Sequence, residues 1–161
     1  INILKNNFSY TFRKDKIVEG LGPYLFVHIR NGDFANSKYY ENLVYTPQVW
    51  ANAIIAVCRK ENLSQVILFT DNYPITILRK ELEKLSINII TPEDNKINNF
   101  IGLFINYASN SSSIICNSST LTLCLACLYH KYVYNPDIDN IYQSTNVNDL
   151  HIKSPHKLNW K

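Results

Sequence analysis

The chain has 161 residues, enough for one domain with a sizeable core, and its 46% hydrophobic and 18% charged residues exclude a disordered chain. The formal net charge of +3 comes from scattered Lys and Arg in runs no longer than two, which argues against a nucleic-acid surface and fits one small anion such as a diphosphate. No apolar run is long enough to span a bilayer, and the first residues form no signal peptide and lack an initiator Met, so the chain reads as a fragment or a processed form.

The first element is an apolar run, Tyr24 to Ile29, entered through Gly22-Pro23 and expected to be a buried strand. Asn31-Gly32-Asp33 ends it as a turn, and a polar, aromatic loop runs on to Tyr45. Thr46-Pro47 has the form of an N-cap followed by Pro at the first helical position. Val49, Trp50, Ala53, Ile54, Val57 and Cys58 then recur at helical spacing. Gln65 to Phe69 is a second strand, and a turn at Thr70 to Pro74 leads into a helix with Ile75, Leu78, Leu82 and Leu85 on one face. Ile87 to Ile90 is a third strand, Asn98 to Ser109 a helix, and Ser113 to Cys116 a fourth strand. Asn117-Ser118-Ser119-Thr120 caps an apolar helix from Leu121 to Leu128, and Tyr132 to Tyr134 is a fifth strand. The segment 137–161, rich in Asn, Asp and Ser, reads as an irregular tail.

Strands alternating with helices imply βαβ units. The expected fold is a single three-layer, Rossmann-like α/β domain with a mostly parallel sheet of about five strands. Such sheets bind ligands beyond the carboxyl ends of their strands, and three polar clusters stand there. The first holds His28, Arg30, Gly32 and Asp33. Arg30 offers a rigid fork of donors for phosphate oxygens, His28 shares its side of the strand, Gly32 permits a tight turn or close approach, and Asp33 is an acceptor near that turn. An alternative is an Arg30–Asp33 pair with a purely structural role. The second cluster, Thr70-Asp71-Asn72, doubles as an ordinary helix cap. The third is Asn117-Ser118-Ser119-Thr120, where hydroxyls and helix N-terminal N–H groups suit phosphate as well as they suit capping.

Val27-His28-Ile29-Arg30-Asn31-Gly32-Asp33-Phe34 resembles the His-x-Arg-Arg-Gly-Asp-Tyr signature of the α-1,2-fucosyltransferases. Ile67 to Asn72 is similar to that family's Phe-Ser-Asp-Asp segment, and Ile114 to Thr120 to its Ile-Ile-Ala-Asn-Ser-Thr/Ser segment. The likeness covers roughly residues 24–136. It implies one half of a GT-B enzyme, in which two Rossmann-like domains face each other, with this half holding GDP-fucose or a related nucleotide sugar. It further implies inverting transfer of fucose to a glycan hydroxyl without a metal or other cofactor. By resemblance, Arg30 binds the diphosphate and stabilises its charge as the sugar leaves, Asn117, Ser118, Ser119 and Thr120 contact substrate, and His28 and Asp71 lie near the nucleoside or sugar. Asp33, with Glu41, is a candidate base.

Asn31 stands where the family has a second Arg, Asn72 replaces an Asp, and Leu121 to Cys124 replaces a Trp-Trp region. Few residues precede the first motif, so an acceptor-binding domain is missing or shortened. These departures keep open a non-catalytic nucleotide-sugar or glycan-binding module descended from such an enzyme, and a ligand-free flavodoxin-like domain. Cys124-x-x-Cys127-x-x-His130 has metal-like spacing but falls in an apolar helix without a second ligand cluster, so no metal site is expected. The four Cys form no disulfide framework and read as reduced, buried thiols of a cytoplasmic protein.

Overall fold

The computed structural model describes residues 20–39, 44–92, 100–117, 119–136 and 152–153. Its strands are β1 (Leu25–Ile29), β2 (Gln65–Thr70), β3 (Asn88–Ile90), β4 (Ser113–Cys116), β5 (Tyr132–Tyr134) and β6 (Ile152–Lys153). Between them run the helices α1 (Pro47–Glu61), α2 (Ile75–Glu83), α3 (Phe100–Asn110) and α4 (Thr120–Leu128). Every strand pairing is parallel, in the order β3-β2-β1-β4-β5-β6. That order follows from right-handed crossovers: α1 and α2 build the sheet outward from β1 on one side, and α3 crosses back to start β4 on the other.

Residues of β1 to β5 enter two separate cores, one on each face of the sheet. Leu25, Val27 and Ile29 pack with Ala51, Ile54, Val57, Leu78 and Leu82 from α1 and α2. Tyr24, Phe26, Ile67 and Phe69 pack with Phe104, Tyr107, Ala108 and Leu125 from α3 and α4. The domain thus has three layers, a helical layer on each face of the sheet.

Glycine is scarce, and other residues take the left-handed positions where chains usually use it. Asn62 closes α1 at φ 54°, and its N–H donates back to the Arg59 carbonyl. His130 sits at φ 53° just past α4 and donates to the Cys127 carbonyl. His130 of the metal-like triplet is therefore part of a helix terminator. Thr46 caps α1 as its sequence suggests, accepting from the Val49 N–H at 3.4 Å.

Three readings change, and one gains detail. Leu85 lies beyond α2, which ends at Glu83, and is exposed. Gly32 lies in the expected turn, closed by the Ala35 N–H to the Asn31 carbonyl, but without a left-handed backbone. Strand β6 lies inside the segment expected to be irregular, bonded to β5 at Val133 and Tyr134. The cysteines divide: Cys58 and Cys116 are buried, their thiols pushed up to about 12 by desolvation, whereas Cys124 is exposed. Among the described residues no helix is long and apolar enough to cross a membrane.

Candidate functional site

The order of strands reverses between β1 and β4, the switch point beyond whose carboxyl ends parallel sheets hold ligands. The three polar clusters follow β1, β2 and β4, which are neighbours in the order β2-β1-β4. Hydrogen bonds join the clusters directly. The Arg30 N–H donates to Asn117 Oδ1 at 2.8 Å, and Asn117 Nδ2 donates to the Arg30 carbonyl at 2.8 Å. On the other side the Asn31 N–H donates to Asp71 Oδ1 at 2.6 Å, and Asn31 Nδ2 donates to the Asn72 carbonyl at 3.1 Å. Asn72 takes a left-handed φ of 60°, a conformation Asn tolerates.

Gly32 lies against Asp71. A Cβ added at position 32 would lie 2.9 Å from Asp71 Oδ2, while the other carboxylate oxygen is held by the Asn31 N–H. The loop then folds on itself through the Ala35 N–H to the Asn31 carbonyl and Asn36 Nδ2 to the Gly32 carbonyl.

Arg30 is half-exposed just past the carboxyl end of β1. Its Nε donates to Asp33 Oδ1 at 2.9 Å, its second terminal nitrogen pairs with Asp33 Oδ2, and its guanidinium lies 4.9 Å from the centre of the Phe34 ring. The Arg30 hydrogen bond holds the Asp33 carboxyl below its usual range. The ion pair proposed from the sequence as an alternative to ligand binding is thus present.

His28 sits one layer deeper. Its side chain leaves β1 on the aromatic face, meeting Phe104 edge-to-face at 4.8 Å, and its Nδ1 lies 2.8 Å from Thr122 Oγ1 in the first turn of α4. Burial pushes the imidazole down to about 4, with Arg30 lowering it further and Asp71 acting in the opposite sense, so it is neutral near pH 7. Thr122 and Phe104 were missed in the sequence. A Thr two positions into an otherwise apolar helix that opens on Thr120 is the one local signal that marks Thr122.

Asn117 is buried and both ends of its amide are engaged by Arg30. Ser119 is the N-cap of α4, its hydroxyl accepting from the Thr122 N–H at 3.4 Å, and it too is buried. Thr120 is exposed at the start of that helix, where the first N–H groups lack intrahelical acceptors. Ser118 and Glu41 lie outside the described residues. The edge therefore combines a cation, a neutral imidazole and a helix N-terminus, a set able to hold an anion. Among the described residues no group of three or more His, Cys, Asp or Glu is placed to hold a metal ion.

The sequence matches no family model and no curated protein. The fold does match a solved one. It is similar to the crystal structure of POFUT1 in complex with GDP-fucose, with a TM-score of 0.53 at 10% sequence identity. The match covers 70% of this chain and 38% of that one. The matched part of the chain shares the α/β fold of that neighbour. At this identity the likeness is one of architecture, and the chain spans well under half of its neighbour's length.

Proposed function

We propose that this chain is the donor-binding half of a fucosyltransferase-type glycosyltransferase, taking GDP-fucose or a related GDP-sugar and serving transfer to a glycan hydroxyl. The observation that carries the reading is Arg30, held at the β1/β4 reversal by bonds from Asn117 and standing at the sheet edge from which α4 starts. The motif around it resembles the α-1,2-fucosyltransferases, and the fold resembles a protein solved with GDP-fucose.

In this proposal the diphosphate lies between the Arg30 guanidinium and the first-turn N–H groups of α4. Arg30 makes charge-assisted hydrogen bonds that strengthen as the sugar leaves and charge builds on the β-phosphate. The acceptor hydroxyl attacks the anomeric carbon from the opposite face, so configuration inverts. His28, neutral and backed by Thr122, offers a hydrogen bond without adding charge. Asp33 is a weak base while paired to Arg30, and its role here is to orient the guanidinium. The base and the acceptor site then belong to a second, acceptor-binding domain.

The test is calorimetric titration with GDP, UDP and ADP in the presence of EDTA. GDP is expected to bind best, and binding is expected to survive chelation, because Arg30 and the helix terminus supply the positive charge. Loss of GDP affinity on chelation, restored by Mg²⁺ or Mn²⁺, would contradict the metal-free assignment. A second reading, a binding module without activity, is favoured by Asn31 at the position of the family's second Arg, since its side chain is spent on the Asn72 carbonyl.

A further inference from the structure

Asn117 and Asp71 both stand where the motifs place substrate contacts, yet the structure gives both side chains to the backbone of one short segment. Asn117 directly follows β4, and its amide supplies Arg30 with an acceptor and a donor, each at 2.8 Å. Those are the two bonds a neighbouring strand's backbone would offer if the ladder continued past Ile29. The side chain thus extends the β1–β4 pairing by one residue beyond the point where the strands diverge. From the β2 side, Asp71 accepts the next N–H, that of Asn31, at 2.6 Å and rests its second oxygen against Gly32. Two consecutive residues, Arg30 and Asn31, are therefore bonded from opposite sides of β1, and Gly32 lies against the same Asp71 carboxylate.

We propose that Asn117 and Asp71 are positioning residues that hold the Arg30–Gly32 backbone from both sides of β1 and so fix where the Arg30 guanidinium meets a diphosphate. This deepens the proposed function and rests on it. Two features distinguish it from simple loop stabilisation. Asn117 is buried, and both its amide oxygen and its amide nitrogen are bonded to the Arg30 backbone. Asp71 acts on the N–H through one oxygen, so an amide of the same shape can replace it.

The experiment is a double-mutant cycle read by calorimetry with GDP and guanosine, on folded protein well below its melting temperature. Asn117→Ala is expected to weaken GDP binding about tenfold, as loss of one to two backbone anchors would allow, and to leave guanosine within about twofold. In an Arg30→Ala background the same substitution should have no further effect on GDP, because nothing is left to position. Asp71→Asn keeps the acceptor for the Asn31 N–H and should bind GDP as well as the wild type does, whereas Asp71→Ala should lose about tenfold. Additive losses in the cycle, or equal losses for Asp71→Asn and Asp71→Ala, would overturn the positioning role while the wild type still bound GDP. A wild type that does not bind GDP would instead overturn the functional reading and this inference with it. If Asn117→Ala does not fold, the Asp71 pair decides alone.

Discussion

The two faces of the sheet are built from different materials. The face under α1 and α2 is largely aliphatic, with Leu, Ile, Val and Ala filling it around Trp50. The face under α3 and α4 is aromatic: Phe26, Phe69 and Phe104 meet at centroid distances of 5.0 to 5.4 Å, and Tyr107 and Tyr24 extend the chain of rings. The aromatic layer ends on a polar group, because His28 takes the next position along β1 and stacks edge-to-face on Phe104. One core supports the fold, and the other also seats a side chain of the candidate site.

That contrast can be broken by substitution. Leu78 is fully buried in the aliphatic layer. Leu78→Ala should lower stability by about 2–5 kcal/mol through lost burial and the cavity left behind. GDP affinity, measured on the fraction that remains folded, should not change. A selective loss of GDP binding in this variant would erase the distinction between the faces.

The pH dependence sharpens it. His28 is pushed down to about 4 in the folded protein, against an ordinary value near 6.5. The folded state binds its proton less readily than the unfolded state, so the stability linked to this group is fully present above pH 6.5 and is lost as pH falls from there to about 4. The loss should approach about 1.4 kcal/mol per pH unit within that window and total roughly 3 kcal/mol. Urea unfolding at pH 7 and pH 4.5 should show a steeper fall for wild type than for His28→Gln. Parallel profiles would mean that His28 is not held neutral by the aromatic layer.

A smaller effect is expected at Phe104. Phe104→Leu keeps an apolar side chain but removes ring contacts worth about 1 kcal/mol. It should also bring water nearer His28 and raise its pKa, flattening the acid limb of the same unfolding curves. No change in that limb would detach His28 from the ring.

Local chemistry made most of the fold legible. Leu25 to Ile29 and Ser113 to Cys116 are short apolar runs bounded by polar turns, and both are strands buried on two faces. Thr46-Pro47 marked the start of α1 because capping depends on adjacent residues. What failed was long-range. Leu85 continues the apolar spacing of α2, but the helix has ended at Glu83 and Ser86 takes a left-handed φ of 58°. Strand β6 lies in a polar stretch, where only pairing to β5 makes a strand of it. The clusters were readable as polar residues after strands. The partners within them were not, because Asn117 reaches Arg30 across 87 positions and Asp71 reaches Asn31 across 40. Motif position alone gave Asn117 and Asp71 to the substrate, and their hydrogen bonds give them to the backbone beneath Arg30.

The central claim is that Arg30 meets a diphosphate, and its most direct test compares GDP with guanosine in wild type and Arg30→Ala by calorimetry alongside a thermal melt. Charge-assisted hydrogen bonds of about 1.5–3 kcal/mol predict a ten- to hundredfold loss, roughly, for GDP. Guanosine, which lacks the diphosphate, should change far less, and Arg30→Lys should recover part of the loss. Because the Arg30–Asp33 pair is exposed, the melting temperature should hardly move. Equal losses for GDP and guanosine, or a fall in melting temperature with no ligand selectivity, would make Arg30 a structural partner of Asp33 and contradict the account.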